Sequence, residues 1–375
     1  MFGQFVPARL WEASPIRMLR RPAARLVGFS RSVRLHRQRW RALTGWRTRF
    51  SLAHQEGLLA PGGWRFLYFH SRKRGYWPQF LLVHESLDPR AALREVALVD
   101  PDNNRLLSVP FRRIRRSPGR TMDQDRIAAK VFMARHGAKS LGFDLEGRVV
   151  ARISAEGFGS EWERVRGLFS ARVPSVPFEV LQGRSAILEP SLTGVLMPVL
   201  PPSDQVDVAL CLLESLAELT ADARPGDSRS FLRTRAYASE TAGPIGHLAE
   251  PIDSWLGEAR CVPAHGDLHP ANIMFDDGRA TCFDFGAADW LPAWFDGSLL
   301  TLAVLNNSNT SGTPEEVERL TAGLERFLIR TTLQRGGGLP EDWRRLIAVT
   351  MHALTGPRTV SPALFEGPDA WAETG

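Results

Sequence analysis

The segment from Ala264 to Asn272, together with Asp284 downstream, constrains this chain most, because its acidic and amide side chains are spaced so that a short turn can bring them together. The segment reads Ala-His-Gly-Asp-Leu-His-Pro-Ala-Asn, and residues 283–286 read Phe-Asp-Phe-Gly. Between them, residues 273–283 have the pattern of a strand, an Asp-Asp-Gly hairpin turn and a second strand. A hairpin of that length returns the chain beside its start, so we expect Asp284 to lie next to Asn272.

These polar positions carry the side chains that metal-dependent phosphoryl transfer requires. An Asp followed five positions later by an Asn is the spacing of the kinase catalytic loop, in which the Asp accepts the proton of the substrate hydroxyl and the Asn ligates metal. Asp267 and Asn272 have this spacing, and Asp284 supplies a second oxygen ligand. Mg²⁺ seldom uses an all-protein cage, so two protein ligands completed by phosphate oxygens and water suit it. The sequence therefore predicts Asp267 as the catalytic residue and Asn272 and Asp284 as Mg²⁺ ligands.

The two histidines of this segment have different expected roles. His269 is a candidate catalytic residue that contacts substrate or phosphate, and packing within the loop is the alternative. His265 is expected to brace the loop through a backbone hydrogen bond rather than to titrate. A purely structural role for the whole segment is also an alternative, because Asp and Asn are common loop residues. The joint occurrence of the spacing, the stiffening Pro270 and the hairpin favours a functional site.

The sequence His-Gly-Asp-Leu-His-Pro-Ala-Asn resembles the catalytic loop of the aminoglycoside phosphotransferase family, small-molecule kinases that also include choline and homoserine kinases. The resemblance covers roughly residues 125–355. It implies an α+β, bilobal, protein-kinase-like fold with a small antiparallel β lobe and a larger, mainly helical lobe. It also implies ATP, less often GTP, as donor, with Mg²⁺, and a hydroxyl group of a small molecule as acceptor. Asp296 falls where the family places an Asp at the start of a helix, and we interpret it as a structural brace of the loop.

Three further residues are candidates for nucleotide binding. Arg152 lies in a Val-Val-Ala-Arg-Ile context where a kinase has Val-Ala-Ile-Lys, so it is the candidate cation on the α/β-phosphates; an exposed strand arginine is the alternative. Glu161 begins a helical pattern and is the candidate ion-pair partner of Arg152, by analogy with the kinase Lys–Glu pair. In the resembled fold, the inter-lobe hinge whose backbone contacts adenine falls at Glu189 to Gly194. An ordinary surface turn is the alternative there.

The chain is expected to contain four segments. We place an arginine-rich arm at 1–55, an extension of no recognised family at 56–120, a small lobe at 121–194 and a large lobe at 195–375. Strands are expected in the extension at 64–69 and 79–83, and a meander of antiparallel strands at 126–153. Helices are expected after a Ser203 or Asp204 cap and at 245–258, 314–334 and 340–354.

Charge is concentrated at the start of the chain. Residues 1–50 contain twelve arginines against Glu12 alone, a net charge of +11, whereas the whole chain has +6. Tryptophans and phenylalanines interleave with these arginines, so an anionic surface, an anionic polymer or nucleic acid is a possible partner. A solvated arm, or one that packs on the protein, is the alternative.

Two other classes of function remain open. Arg152 in place of lysine, and the short interval to Glu161, are compatible with a non-catalytic nucleotide-binding pseudokinase scaffold, and the basic arm is compatible with a recruitment protein. No run of about twenty apolar residues occurs, so no spanning helix is predicted. The three cysteines lack metal-ligand spacing and indicate free thiols in a reducing compartment, which favours the cytoplasm.

Overall fold

The structure is a computed structural model, and it divides the chain into two compact units, residues 1–156 and 157–375. The described residues are 46–70, 79–97, 105–114, 127–134, 139–181, 183–226, 228–237, 248–308, 313–332 and 338–355. The Asp-Pro-Asp-Asn-Asn sequence of residues 100–104 predicts a turn, and residues 115–120 have the composition of a linker. Both segments, together with residues 1–45 of the basic arm, lie outside these ranges. The proposed contact of the arm with an anionic surface therefore stays a prediction.

The first unit is built on an antiparallel sheet. Its elements are α1 (Trp46–Gln55), β1 (Gly62–His70), β2 (Gln79–His84), α2 (Pro89–Ala97), β3 (Arg105–Ile114), β4 (Val131–Ala134), β5 (Lys139–Asp144) and β6 (Val149–Ser154). The strand order is β3-β1-β2-β4-β5-β6. Strand β2 is apolar at successive positions and buried from Leu81 to His84, as expected for a strand covered on both faces. The predicted strands and meander are confirmed.

Two features of the structure cut across the expected segments, whose bounds stay predictions. Strand β2, from the expected extension, pairs with β4, from the expected small lobe, so that Leu82 lies opposite Phe132. The first unit then ends at 156, inside the expected small lobe of 121–194. Residues 46–55 of the expected arm form α1, in which Phe50 and Arg49 are buried. Apolar side chains that are far apart in the sequence bury one another here. The periodicity of the sequence does not show which of these residues will be in contact.

The second unit is mainly helical. It contains α3 (Ser160–Ser170), β7 (Glu179–Val180), β8 (Ala186–Pro190), β9 (Val195–Leu196), α4 (Pro202–Glu218), α5 (Ser228–Phe231), a π-helix (Leu232–Tyr237), α6 (Ala249–Leu256), β10 (Cys261–Ala264), β11 (Ile273–Asp276), β12 (Arg279–Cys282), β13 (Asp289–Pro292), α7 (Phe295–Ser308), α8 (Pro314–Thr332) and α9 (Trp343–Thr355). Helix α4 packs against α7 and α8. The apolar faces of these helices form one core with strands β10 to β13. The α+β class with an N-terminal antiparallel sheet is confirmed.

The start of α4 differs from the expectation. Neither Ser203 nor Asp204 caps it, because the helix already begins at Pro202, one residue after the extended Pro201. Proline suits the first helical position, since its missing N–H would have no partner inside the helix. Among the described helices, none combines the length and apolar character needed to cross a membrane.

Candidate active site

The loop that follows β10 is held in place by a buried carboxylate. Strand β10 pairs with β13 and delivers the chain to His265. Asp296, buried in the first turn of α7, accepts the backbone N–H of His265 on Oδ2 at 2.6 Å and that of Gly266 on Oδ1 at 3.0 Å. Burial raises the pKa of Asp296 to about 7, although both N–H groups favour its ionised form. Asp296 therefore braces the loop as expected, from within α7 rather than as its cap.

His265 bridges the loop to the segment after the hairpin. Its ring is fully buried, and Nε2 donates to the carbonyl oxygen of Phe283 at 2.7 Å, while the Asp267 N–H donates to Nδ1 at 3.3 Å. These two bonds define a neutral imidazole protonated on Nε2. The ring also packs against Phe285, tilted by 44°, with 4.4 Å between the ring centroids. The structural role expected for His265 is confirmed.

Asn272 contacts Asp267 directly. Asn272 lies in a short 3₁₀ turn (Pro270–Asn272), and its Nδ2 donates to the Asp267 carbonyl at 2.8 Å and to Oδ2 at 3.4 Å. The amide is thereby oriented with its nitrogen towards Asp267. Its Oδ1 has no hydrogen-bond partner among the described residues, so it is available to a ligand outside the chain.

His269 lies beside the same carboxylate. Its Nδ1 accepts the N–H of Ala271 at 3.2 Å and caps the 3₁₀ turn, and its Nε2 lies 3.3 Å from Asn272 Nδ2. Nε2 is 3.7 Å from Asp267 Oδ1, too long for a hydrogen bond but close enough to act electrostatically. The ring thus performs the loop packing that the sequence allowed, and its contact with substrate stays a prediction.

The Asp267 carboxylate is exposed yet perturbed. Its side chain is 58% exposed, and loss of part of its hydration raises its pKa, with a further rise from Asp284; His269 and the Asn272 hydrogen bond oppose this. A carboxylate with a raised pKa is a stronger base than an ordinary aspartate. Because it is exposed, Asp267 can also meet a substrate hydroxyl.

The hairpin returns Asp284 to the loop, as expected. Strands β11 and β12 pair from Ile273 opposite Cys282, and the Phe283 N–H donates to the Asn272 carbonyl at 3.0 Å. Asp284 follows directly and has φ +66°. A non-glycine residue in this left-handed region is uncommon, and residues with strained backbone conformations cluster at active sites. The backbone conformation therefore agrees with a special role for Asp284.

Gly266 is required by a close backbone approach. It has φ +79°, and a Cβ at this position would lie 2.2 Å from the carbonyl oxygen of Ala287. Gly278, in the hairpin turn, has φ +75° but open space around the same point. The two glycines thus share a backbone conformation and differ in steric surroundings.

We expect Gly266→Ala to lower the free energy of unfolding by clearly more than Gly278→Ala. The second substitution carries the conformational cost of an L-residue at positive φ, about 1–2 kcal/mol. Gly266→Ala adds a clash between the new Cβ and the Ala287 carbonyl oxygen. This backbone group cannot move without shifting the loop after β10. Urea denaturation of both variants measures the difference, and equal losses would show that the Ala287 contact is not tight.

The donor set fits Mg²⁺. Asn272 Oδ1 and the Asp284 carboxylate are hard oxygen ligands, and they belong to residues brought together by the Phe283 to Asn272 hydrogen bond. No group of three or more His, Cys, Asp or Glu side chains that could hold a metal occurs in the described part of the chain.

Arg152 lies in β6 of the first unit, opposite Leu141 of β5, and only 9% of it is exposed. The alternative of an exposed strand arginine is therefore wrong, whereas its contact with phosphate stays a prediction. Glu161 lies in α3 of the second unit, and its Oε1 accepts Trp290 Nε1 at 2.6 Å and Arg224 Nη1 at 3.0 Å. These bonds tie Glu161 to residues of the second unit, and its pairing with Arg152 stays a prediction.

Glu189 forms a buried ion pair with a residue that sequence reasoning missed. Arg166 of α3 is fully buried, with Nη2 2.7 Å from Glu189 Oε1 and its guanidinium 4.7 Å from the ring centre of Phe285. The Glu189 side chain therefore pairs with Arg166. The predicted contact with adenine falls to the backbone of Glu189. Arg166 shares a helix face with the buried Val165 and Phe169, and this position was the signal that could have identified it.

The loop after β10 and the hairpin lie within a part of the chain that matches a protein-family model. Residues 209–339 match the model of the phosphotransferase enzyme family, APH. The matched segment contains the catalytic loop, the hairpin and Asp284, and it confirms the resemblance seen in the sequence. No match was found among curated protein sequences.

Solved structures similar to this chain include three small-molecule phosphotransferases. Aminoglycoside phosphotransferase APH(3'')-Id from Streptomyces rimosus has 18% identity and a TM-score of 0.39, covering 58% of this chain and 89% of its own. A choline/ethanolamine kinase family protein from Mesorhizobium loti has 12% identity and a TM-score of 0.40, with coverages of 58% and 72%. Glucosamine kinase, solved with glucosamine, ADP and inorganic phosphate, has 19% identity and a TM-score of 0.37, with coverages of 60% and 77%.

Proposed function

We propose that this protein is an ATP- and Mg²⁺-dependent phosphotransferase that transfers the γ-phosphoryl group to a hydroxyl of a small molecule. The observation that carries the proposal is the contact of Asn272 with Asp267 beside the returning Asp284. Phosphoryl transfer depends mainly on positioning and charge stabilisation, and these side chains provide both. The family match over the same segment supports the class of reaction.

Each residue has a distinct proposed task. Asp267 orients the acceptor hydroxyl and takes its proton on a carboxylate oxygen, for which its raised pKa suits it. Asn272 holds Asp267 through Nδ2 and presents Oδ1 to the metal, and Asp284 provides the second ligand. Arg152 grips the α/β-phosphates. Mg²⁺, when bound, neutralises charge on the phosphates.

The acceptor can be identified by mass spectrometry of a metabolite pool incubated with the protein, Mg²⁺ and ATP. A phosphate mass addition to one hydroxylated compound, absent when Asp267→Asn is used, is the expected result. Phosphorylation that persists in the variant would contradict the role of Asp267. None of the three cysteines, all of which lie in the described part of the chain, forms a disulfide bond, in keeping with the proposed cytoplasmic location.

Thermal stabilisation by ATP is expected to require Mg²⁺. A ligand that binds only the folded state stabilises it by about 2.7 kcal/mol at 100 times its dissociation constant. If Asp284 holds the metal, the Asp284→Ala variant should lose this shift in melting temperature. Asp207→Ala is the matched control, because Asp207 is an exposed aspartate of α4 in the same unit. It should retain the shift.

A non-catalytic nucleotide-binding scaffold is the second candidate. The engagement of Glu161 by Arg224 and Trp290 favours it, because a catalytic kinase uses the corresponding acid to position its phosphate-binding cation. A scaffold predicts ATP stabilisation that is independent of metal and equal in the native protein and in Asp284→Ala. The melting experiment therefore separates the two candidates.

A further inference from the structure

The second unit contains a cavity of about 460 Å³ outside the catalytic loop. It opens between the loop that carries Arg224, the π-helical segment that carries Arg235, and the ends of β10 and β13. Its volume lies within the range of small-molecule sites. We call it the Arg224 pocket.

The Arg224 pocket is separate from the phosphotransfer site. It is lined by Cys261 and Pro292, which pair at one end of the β10–β13 ladder, whereas Ala264 pairs with Asp289 at the end that leads into the catalytic loop. The two ends are three residue steps apart along β10, which is about 10 Å. No residue of 265–272 lines the pocket. A ligand here would not touch Asp267.

One side of the pocket holds a fixed guanidinium. The Arg224 guanidinium lies 4.0 Å from the centre of the Trp290 ring, and both Arg224 Nη1 and Trp290 Nε1 donate to Glu161 Oε1. The Glu161 carboxylate thus holds the Arg224 guanidinium over the Trp290 indole. The Arg224 side chain is still 46% exposed, and a guanidinium has five donors in a planar fork, so it retains N–H groups for an anion.

A second cation faces the same space. Arg235 lines the pocket, and its guanidinium lies 5.8 Å from the ring of Phe231, which also lines it. Two neighbouring arginines have acidic partners, Arg229 with Glu258 and Arg233 with Asp253. Arg235 forms no ion pair among the described residues. The pocket therefore carries positive charge beyond what Glu161 neutralises.

The backbone here is also unusual. Residues 232–237 form a π-helix, a rare conformation that recurs at functional sites because its wider turn displaces side chains from the α-helical positions. Thr234 and Arg235, both exposed, line the pocket from this turn. On the opposite wall of the pocket, Gly226 lies close to Cys261. A Cβ at Gly226 would be only 2.1 Å from Cys261 Sγ, so a larger residue would not fit there.

We propose that the Arg224 pocket binds a small organic anion with a flat apolar part, an aryl carboxylate being the simplest example. The anionic group is held between Arg224 and Arg235, because both guanidinium groups offer N–H donors to it. The rings of Phe231 and Trp290 supply the apolar walls. Binding is independent of ATP and of Mg²⁺, because the pocket shares no residue with the catalytic loop.

The test uses the full chain and 2-naphthoate as the probe, with neutral 2-naphthamide as the matched ligand, in calorimetric titrations. Naphthoate should bind at one site with a dissociation constant of about 1 mM or lower, as expected for a ligand of this size. Arg235→Gln should weaken naphthoate binding about fivefold or more and leave naphthamide binding unchanged. Arg229→Gln, a neighbouring exposed arginine outside the pocket, should change neither.

Two further measurements complete the test. Thr234→Trp places bulk in the pocket from an exposed position and should abolish naphthoate binding even if Arg235→Gln does not fold. Saturating MgATP and Asp267→Asn should leave the naphthoate titration unchanged, so this test stands apart from that of phosphotransfer. Absence of saturable naphthoate binding, equal affinity in Arg235→Gln, or binding that persists in Thr234→Trp would overturn the proposal.

Discussion

Asp267→Asn is expected to lower turnover by about two orders of magnitude or more, the range for removal of a general base, with ATP affinity nearly unchanged. Asparagine keeps the size of the side chain and an oxygen for the Asn272 amide, but it cannot take a proton. The rate can be followed with the acceptor found by mass spectrometry or as basal ATP hydrolysis. Because the pKa of Asp267 is raised, the acidic limb of the kcat/KM profile should lie at higher pH than for an ordinary aspartate.

The matched control for this prediction is Asp222→Asn, which removes a surface carboxylate paired with Arg172 in the same unit. It should leave turnover unchanged. If Asp267→Asn were as active as the native protein, Asp267 would have no role as base. If both turnover and ATP-dependent stabilisation were lost, its role would be structural.

Glu189→Gln is expected to lower the free energy of unfolding by about 3–5 kcal/mol, because it leaves a buried guanidinium without its counter-charge. Arg166 is fully buried and Glu189 is 4% exposed, so water cannot replace the lost charge. The guanidinium lies 4.0 Å from the ring centre of Phe178, and Nη2 also donates to the Val176 carbonyl. Those contacts hold it in place and prevent it from reaching solvent. Guanidinium chloride or urea denaturation measures the loss.

Two comparisons test the physical reason. Glu163 pairs with Arg184 in the same unit with both side chains 40% exposed, so Glu163→Gln should cost about 1 kcal/mol or less. The double variant Arg166→Met, Glu189→Leu removes both charges and should recover most of the stability lost in Glu189→Gln. A double variant as unstable as Glu189→Gln would show that the shape of the pair, rather than its charge, is required.

Much of the candidate site could be predicted from the sequence because it depends on short-range geometry. The Asp276-Asp277-Gly278 turn specified the hairpin, and Asp277 and Gly278 both have the positive φ that such a turn requires. The hairpin length then returned the chain to Asn272, which pairs with Phe283. The helices at Pro314–Thr332 and Trp343–Thr355 followed from apolar periodicity in the same way.

The partners of the charged side chains could not be predicted, because they come from positions far apart in the chain. Glu161 belongs to the same helix as Arg166, yet its partners are Arg224 and Trp290, more than sixty residues away. The local sequence of Glu189 predicts a hinge residue. Only the tertiary structure shows that its side chain forms a buried ion pair with Arg166.

The sequence by itself thus predicted the loop after β10 and the hairpin, because each is encoded by neighbours within one or two turns of chain whose spacing limits the backbone to few conformations. The class of the fold followed from the resemblance of that loop to a known family. The tertiary structure decided which carboxylate meets which cation, and it joined β2 to β4 in one sheet. Those choices depend on which distant surfaces bury each other, and charge type or periodicity along the chain does not contain that information.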